Sequence, residues 1–183
     1  MGILDLILGK GTDGSLRMGE VDIVSSETET VRKIVKELDD LEPERARLVA
    51  CFAYLLSRVA NADMDISDDE TRAMEQIVVE RGRLPEAHAL IVVQMAKTRA
   101  EMFGATDDFL VAREFSEVAD KKQKMALIDC LFAVSASDDG ISAIEDAEIS
   151  EIANELQLTR EDVASLRVAY QDHLNVLKSP ESH

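Results

Sequence analysis

Apolar residues recur at helical spacing along most of the chain. Val31, Ile34, Val35 and Leu38 occupy i, i+3, i+4 and i+7, which lie on one face of a helix. Ser26 and Glu29 stand just ahead in an S-x-x-E capping pattern, so that helix is expected to begin at Ser26. Pro43 suits a first helical turn, where its missing N–H costs nothing, and opens a second helix carrying Leu48, Val49, Phe52, Leu55, Leu56 and Val59. Met74, Ile77 and Val78 mark a third, ending near Gly82. Pro85 opens a fourth, predicted to run through Met102 and stop at Gly104. Thr106 and Asp107 start a fifth, with Phe109, Leu110 and Phe115 as its apolar residues. Met125, Ile128, Leu131, Phe132 and Val134 mark a central helix, and Ile144, Ile149, Ile152, Ala153 and Leu156 mark the next. Thr159, with Asp162 three residues on, caps a last helix holding Val163, Leu166, Val168, Tyr170 and Leu174. No stretch alternates apolar and polar between turn signals, as a half-buried strand would. The pattern predicts an all-α fold.

Residues 9–23, GKGTDGSLRMGEVDI, contain four glycines and read as a linker. The 183 residues therefore divide into a short N-terminal helix with flexible linker, 1–25, and a helical domain, 26–178. The Gly-x-Gly of the linker is no phosphate loop, because GxxxxGK[ST] is absent and no strand precedes it. Aromatic content is only 4% with no Trp, so the core is expected to be aliphatic. Cys51 and Cys130 lie inside apolar helical runs without metal-type spacing and read as buried, reduced thiols.

Charge narrows the partners. Twenty basic residues against 37 acidic ones leave a net charge of −17, which disfavours nucleic acid and anionic membrane surfaces. Cations and basic protein patches are the natural counterparts. No apolar run reaches the roughly 18 to 20 residues of a transmembrane helix. Asp5 interrupts the N-terminal MGILDLILGK and no basic region precedes it, so no signal peptide is read. Leu6 stands where myristoylation after Gly2 would want Ser or Thr. A cytoplasmic location is the default expectation.

The chain echoes itself at an offset of 75 residues, superposing Val59 on Val134, Asp63 on Asp138, Ile66 on Ile141, Ser67 on Ser142, Glu70 on Glu145 and Ile77 on Ile152. These identities cover a loop and both flanking apolar faces, the mark of a duplicated helix-loop-helix. The bundle is thus expected to consist of two pseudo-symmetric halves.

Each loop is acidic, and a calcium-binding EF-hand is the first mechanism to test. Counting from Asp63 puts Asp68 where Gly is required and Met74 where the bidentate Glu is required; counting from Asp138 puts Ala143 and Ile149 there. Both copies fail. Helix initiation accounts for part of the pattern, since Ser67 and Ser142 are good N-caps and Glu70 and Glu145 stand at N3 of a capping box. Asp63 and Asp138 lie four residues earlier, at helix ends where the dipole disfavours a carboxylate. Metal binding, loop capping and solvated charge all remain open readings of these two residues.

The doubled pattern Ala-Asp-Gly-x-Ile-x-x-x-Glu resembles the TerB family, associated with tellurite resistance. The first copy is Ala62, Asp63, Met64, Asp65, Ile66 and Glu70; the second is Ser137, Asp138, Asp139, Gly140, Ile141 and Glu145, followed by EISEIANELQLT. The likeness covers roughly residues 44 to 177, and it departs from the pattern at Met64 and Asp139, where Gly is usual, and at Ser137, which replaces Ala. It implies an all-helical bundle, no catalytic chemistry, a cytoplasmic setting, and a role in metal sensing or stress-response complexes near the membrane. Carried over by position, the acidic residues are Asp63, Glu70, Asp138 and Glu145, with Asp65 as a local addition. If the two loops approach one another, their carboxylates repel, and a divalent cation (Ca, Mg or Mn) is the simplest relief.

The alternative is a metal-free helical protein–protein interaction module that takes a partner helix in an acidic or apolar groove. Ile3, Leu4, Leu6, Ile7 and Leu8 are candidates for a docking arm. An enzyme is disfavoured: HExxH is absent, and neither His88 nor His173 has the Glu three residues before it that a di-iron centre uses. Both histidines read as surface or boundary residues. Lys121, Lys122 and Lys124, the one basic cluster, read as a solvated face or as salt-bridge partners of the acidic surface.

Overall fold

The computed structural model describes residues 32–60, 68–98, 108–137 and 140–174. All regular structure among them is helical, as the periodicity predicts. Residues 32–39 belong to a first helix, α1, which buries Ile34 and Leu38. Its expected start at Ser26 and Glu29, and the whole of 1–25, lie outside the described residues.

Two helices form the axis of the bundle. Helix α2, Pro43–Val59, has its proline in the first turn, and from Leu48 onwards its residues are buried on nearly every side. That follows from its composition: LVACFAYLLSRV has no polar face to turn to solvent. Helices α4, Glu86–Lys97, and α5, Asp108–Val118, pack closely against it. The second axis is α6, Lys121–Ala136, which contacts α2 and receives α3, Asp68–Glu80, and α7, Ala143–Glu155. A short α8, Arg160–Arg167, passes directly into a 3₁₀ helix, Val168–His173, and both lie on α6. Phe52 of α2 meets Phe115 of α5 edge-on at 6.2 Å, and Phe132 of α6 stacks on Tyr170 at 5.5 Å.

The bounds of α3 and α7 differ by 75 positions at both ends, the offset at which the sequence repeats. Contacts between the copies are reciprocal in one respect, since α2 touches α7 and α6 touches α3. They differ in another: α3 lies along α4, whereas α7 rests on α6, α2 and α5.

Several expectations change. The fourth helix ends at Lys97 rather than Met102, because the Thr98 hydroxyl donates back to the Gln94 carbonyl at 2.9 Å and closes the last turn. Residues 99–107, with the predicted stop and restart signals Gly104, Thr106 and Asp107, lie outside the described residues. Phe109, Leu110, Ile144 and Val168 are exposed, at 59%, 41%, 83% and 63%, not in the core. In α7 the buried stripe is Ile149, Ile152 and Ala153, and Ile144 is rotated about 140° from Ile149. Val168 falls where the α-helix gives way to 3₁₀ geometry.

Between α3 and α4 the chain turns at Gly82 and Arg83, the latter left-handed at φ 54°. A Cβ on Gly82 would sit 2.5 Å from the Val78 carbonyl oxygen and 2.8 Å from the Phe52 ring. Only glycine lets this turn pass so close to α2.

Candidate functional site

Of the two loops singled out by the sequence, the second is described from Gly140 onwards. In the second copy Gly140 adopts φ 98°, a left-handed conformation that suits glycine. Ile141 follows, fully buried, and its N–H donates to the His173 carbonyl at 2.7 Å, forming a parallel bridge with Leu174. The C-terminal segment therefore pins the exit of this loop. Ser142 then caps α7: its hydroxyl accepts from the Glu145 N–H at 3.2 Å, while a Glu145 carboxylate oxygen accepts from the Ser142 N–H at 2.8 Å. The capping box expected at Ser142 and Glu145 is present. One residue on, Asp146 accepts from Arg167 at 2.6 Å and ties α7 to α8.

In the first copy Asp68, Asp69 and Glu70 fill the first turn of α3, where the helix dipole favours carboxylates. Asp69 pairs with Arg72 at 3.3 Å on the surface. Asp63, Asp65 and Asp138 lie outside the described residues, as do the cap Ser67 and the pattern residues Met64 and Asp139. Of the five carboxylates proposed as ligands, Glu70 and Glu145 are described. Among the described residues no group of three or more His, Cys, Asp or Glu side chains has a geometry that could hold a metal ion.

At the C-terminal end of α2 lies a buried ionic junction that periodicity alone did not reveal. Arg58, in the last turn of α2, has a side chain only 4% exposed. Its Nε donates to Glu148 and its Nη1 to Glu155, both at 2.7 Å. Burial opposes the guanidinium charge, but the hydrogen bonds to Glu155 and Glu148 outweigh it and hold the pKa above the ordinary value. Asp108 of α5 approaches the same nitrogen at 4.0 Å and accepts a hydrogen bond from the Tyr54 hydroxyl. One arginine thus joins the end of α2, the start of α5 and the face of α7. A signal existed: Arg58 interrupts an apolar run, and Glu148 and Glu155 are seven apart on one helical face.

A second junction closes the C-terminal end. The Tyr170 hydroxyl donates to the Asp129 carboxylate at 2.6 Å, and Asp129 faces Arg81 at 3.8 Å. Burial and then the hydrogen bond to Asp129 push the Tyr170 phenol above its ordinary pKa.

The remaining candidates resolve into structural roles. Cys51 and Cys130 are free and buried, and burial raises both thiol pKa values, which keeps them protonated. His88 is half-buried and His173 exposed, as expected of boundary and surface residues. Burial, then the nearby Arg45, lower the His88 pKa. In the basic cluster Lys121 pairs with Asp162 at 2.9 Å and Lys124 donates to the Ser116 hydroxyl at 2.8 Å. The dipole cost of starting α6 with lysines is offset by a capping box between Asp120 and Gln123, a D-x-x-Q signal readable in the sequence.

No helix of the described residues is long and apolar enough to cross a membrane. Neither a curated protein nor a solved structure matches the chain. Residues 48–168 match the family described as Tellurite resistance protein TerB, a span that runs from the apolar stretch of α2 to the start of the 3₁₀ helix and includes both acidic loops. With most of its length inside that match and an all-helical fold around it, the chain belongs to the TerB family.

Proposed function

We propose that this protein acts as a non-enzymatic TerB protein of tellurite resistance or general stress response, in the cytoplasm. Its acidic loops bind a divalent cation (Ca, Mg or Mn) through Asp63, Asp65, Glu70, Asp138 and Glu145. Its partners are proteins, in stress complexes associated with the membrane.

The observation that carries this reading is the family match, which spans both loops at once. Charge supports it, because a chain of net −17 attracts hard cations and repels tellurium oxyanions. The capping role of Glu145 is compatible with it: one carboxylate oxygen accepts from Ser142, and the carboxylate keeps further lone pairs for a cation.

Thermal unfolding with each of Ca²⁺, Mg²⁺, Mn²⁺ and Zn²⁺ tests the cation. A ligand at about 100 times its dissociation constant adds about 2.7 kcal/mol of stability. A rise in melting temperature with at least one of the first three ions is expected, and it should disappear in an Asp63→Asn, Asp138→Asn double variant. Melting curves unmoved by all four ions would sink the metal assignment.

A second reading, a metal-free interaction module, is favoured by a different feature, the groove between α3 and α4.

A further inference from the structure

We propose that the groove between α3 and α4 is a docking surface for a basic amphipathic helix of another protein. This inference goes beyond the cation assignment and does not depend on it.

The groove is an open cavity of about 580 Å³. Val79 of α3 with Ala87 and Leu90 of α4 line its apolar part. Leu90 is 46% exposed, whereas its neighbours Ile91, Val92, Val93 and Met95 are buried. It is therefore surplus to the core and stands at the surface beside two other apolar side chains. Glu75, Glu80 and Glu86 border this strip. Arg72 is the only cation of the lining, and its guanidinium already faces Asp69.

An apolar strip edged by three carboxylates selects its occupant by charge. A nucleic acid or acidic peptide is repelled, and a neutral apolar ligand leaves the glutamates unmatched. A helix with Leu or Ile on one stripe and Lys or Arg beside it satisfies both features, seating the stripe on Val79, Ala87 and Leu90 and its cations on the rim. The walls fit a helix in length: α3 and α4 have 13 and 12 residues, about 18 to 20 Å each. A second copy of this chain is a poor occupant. It would bring a net −17 surface to an acidic rim, and Lys121 and Lys124 of its basic cluster are already engaged.

The test is titration of the ¹⁵N-labelled full-length chain, with and without EDTA, by three synthetic helical peptides: a Leu-striped peptide with Lys flanks, the same stripe with Glu flanks, and a scrambled Lys/Leu control. Saturable binding of the Lys-flanked peptide is expected, with chemical-shift changes centred on Val79, Ala87 and Leu90, weaker binding at higher salt, and no effect of EDTA. Leu90→Glu should lower the affinity at least about tenfold, in the range of an interface anchor, without changing the melting temperature. Reversing Glu75, Glu80 and Glu86 to Lys should transfer the preference to the Glu-flanked peptide. The proposal is overturned by absence of binding, by equal binding of the scrambled control, or by shifts mapping elsewhere. It is equally overturned by a concentration-dependent dimer that Leu90→Glu dissolves, which would make a second copy the occupant. Loss of the cation-induced thermal shift leaves all these outcomes unaffected, so the two assignments fail independently.

Discussion

Arg58 shows how one side chain can hold several helices together. Its guanidinium is almost wholly withdrawn from water, so its charge is tolerable only while Glu148 and Glu155 remain in place. Arg58→Ala leaves two carboxylates facing each other across a vacated site and should destabilise the fold by about 3 to 5 kcal/mol in urea denaturation. Arg58→Met, which refills the volume but not the charge, should fall between that variant and the parent. If both variants unfold at the parent's urea midpoint, the junction contributes nothing to stability. Tyr170 makes a pH-dependent contribution. Its phenol has a raised pKa in the folded state, against an ordinary value of 10.0. Above pH 10 the unfolded chain releases this proton while the folded chain keeps it, so the folded state binds more protons and stability falls as pH rises. Below pH 10 the contribution is fully present. Tyr170→Phe should remove this part of the alkaline slope, measured as the melting temperature between pH 9 and 11, and an unchanged slope would contradict the assignment.

Individual helices owe their starts to short signals that need no partner. Ser142 and Glu145, Thr159 and Asp162, and Asp120 and Gln123 all form reciprocal capping boxes, each contained within four residues. Such boxes are legible in the sequence because every atom involved is local. Ser142→Ala should cost about 1 kcal/mol, the usual worth of an N-cap hydroxyl, with the loss concentrated in hydrogen-exchange protection of the first turn of α7. Protection that fades equally across the molecule would show that the cap acts only through global stability. Helix ends were less legible. Thr98 terminates α4 through its hydroxyl, and the change from α to 3₁₀ at Val168 carries no periodic signature, because the apolar spacing continues to Tyr170 and Leu174. The exposed Phe109 and Ile144 mark the same limit, since an apolar residue near a stripe is indistinguishable from one on it until the neighbouring helix is in place.

At the scale of the whole molecule, two buried axial helices, α2 and α6, organise the described helices from Asp68 to His173. The all-α class, the helical stripes, the capping boxes and the kinship with TerB proteins were determined by the sequence itself, because each rests on spacing along the chain. The five carboxylates proposed as ligands rest likewise on position along the chain, and Glu145 takes the capping role its spacing implies. Tertiary structure alone decided that Arg58 is clasped by α7, that Tyr170 reaches Asp129, and that Ile141 is bridged to Leu174. It also decided that Leu90 is left uncovered beside an acidic rim. The physical reason is range: capping and amphipathicity act within a turn or two of helix, whereas a buried ion pair or an open groove depends on residues far apart in sequence, and their meeting is set by how the helices pack.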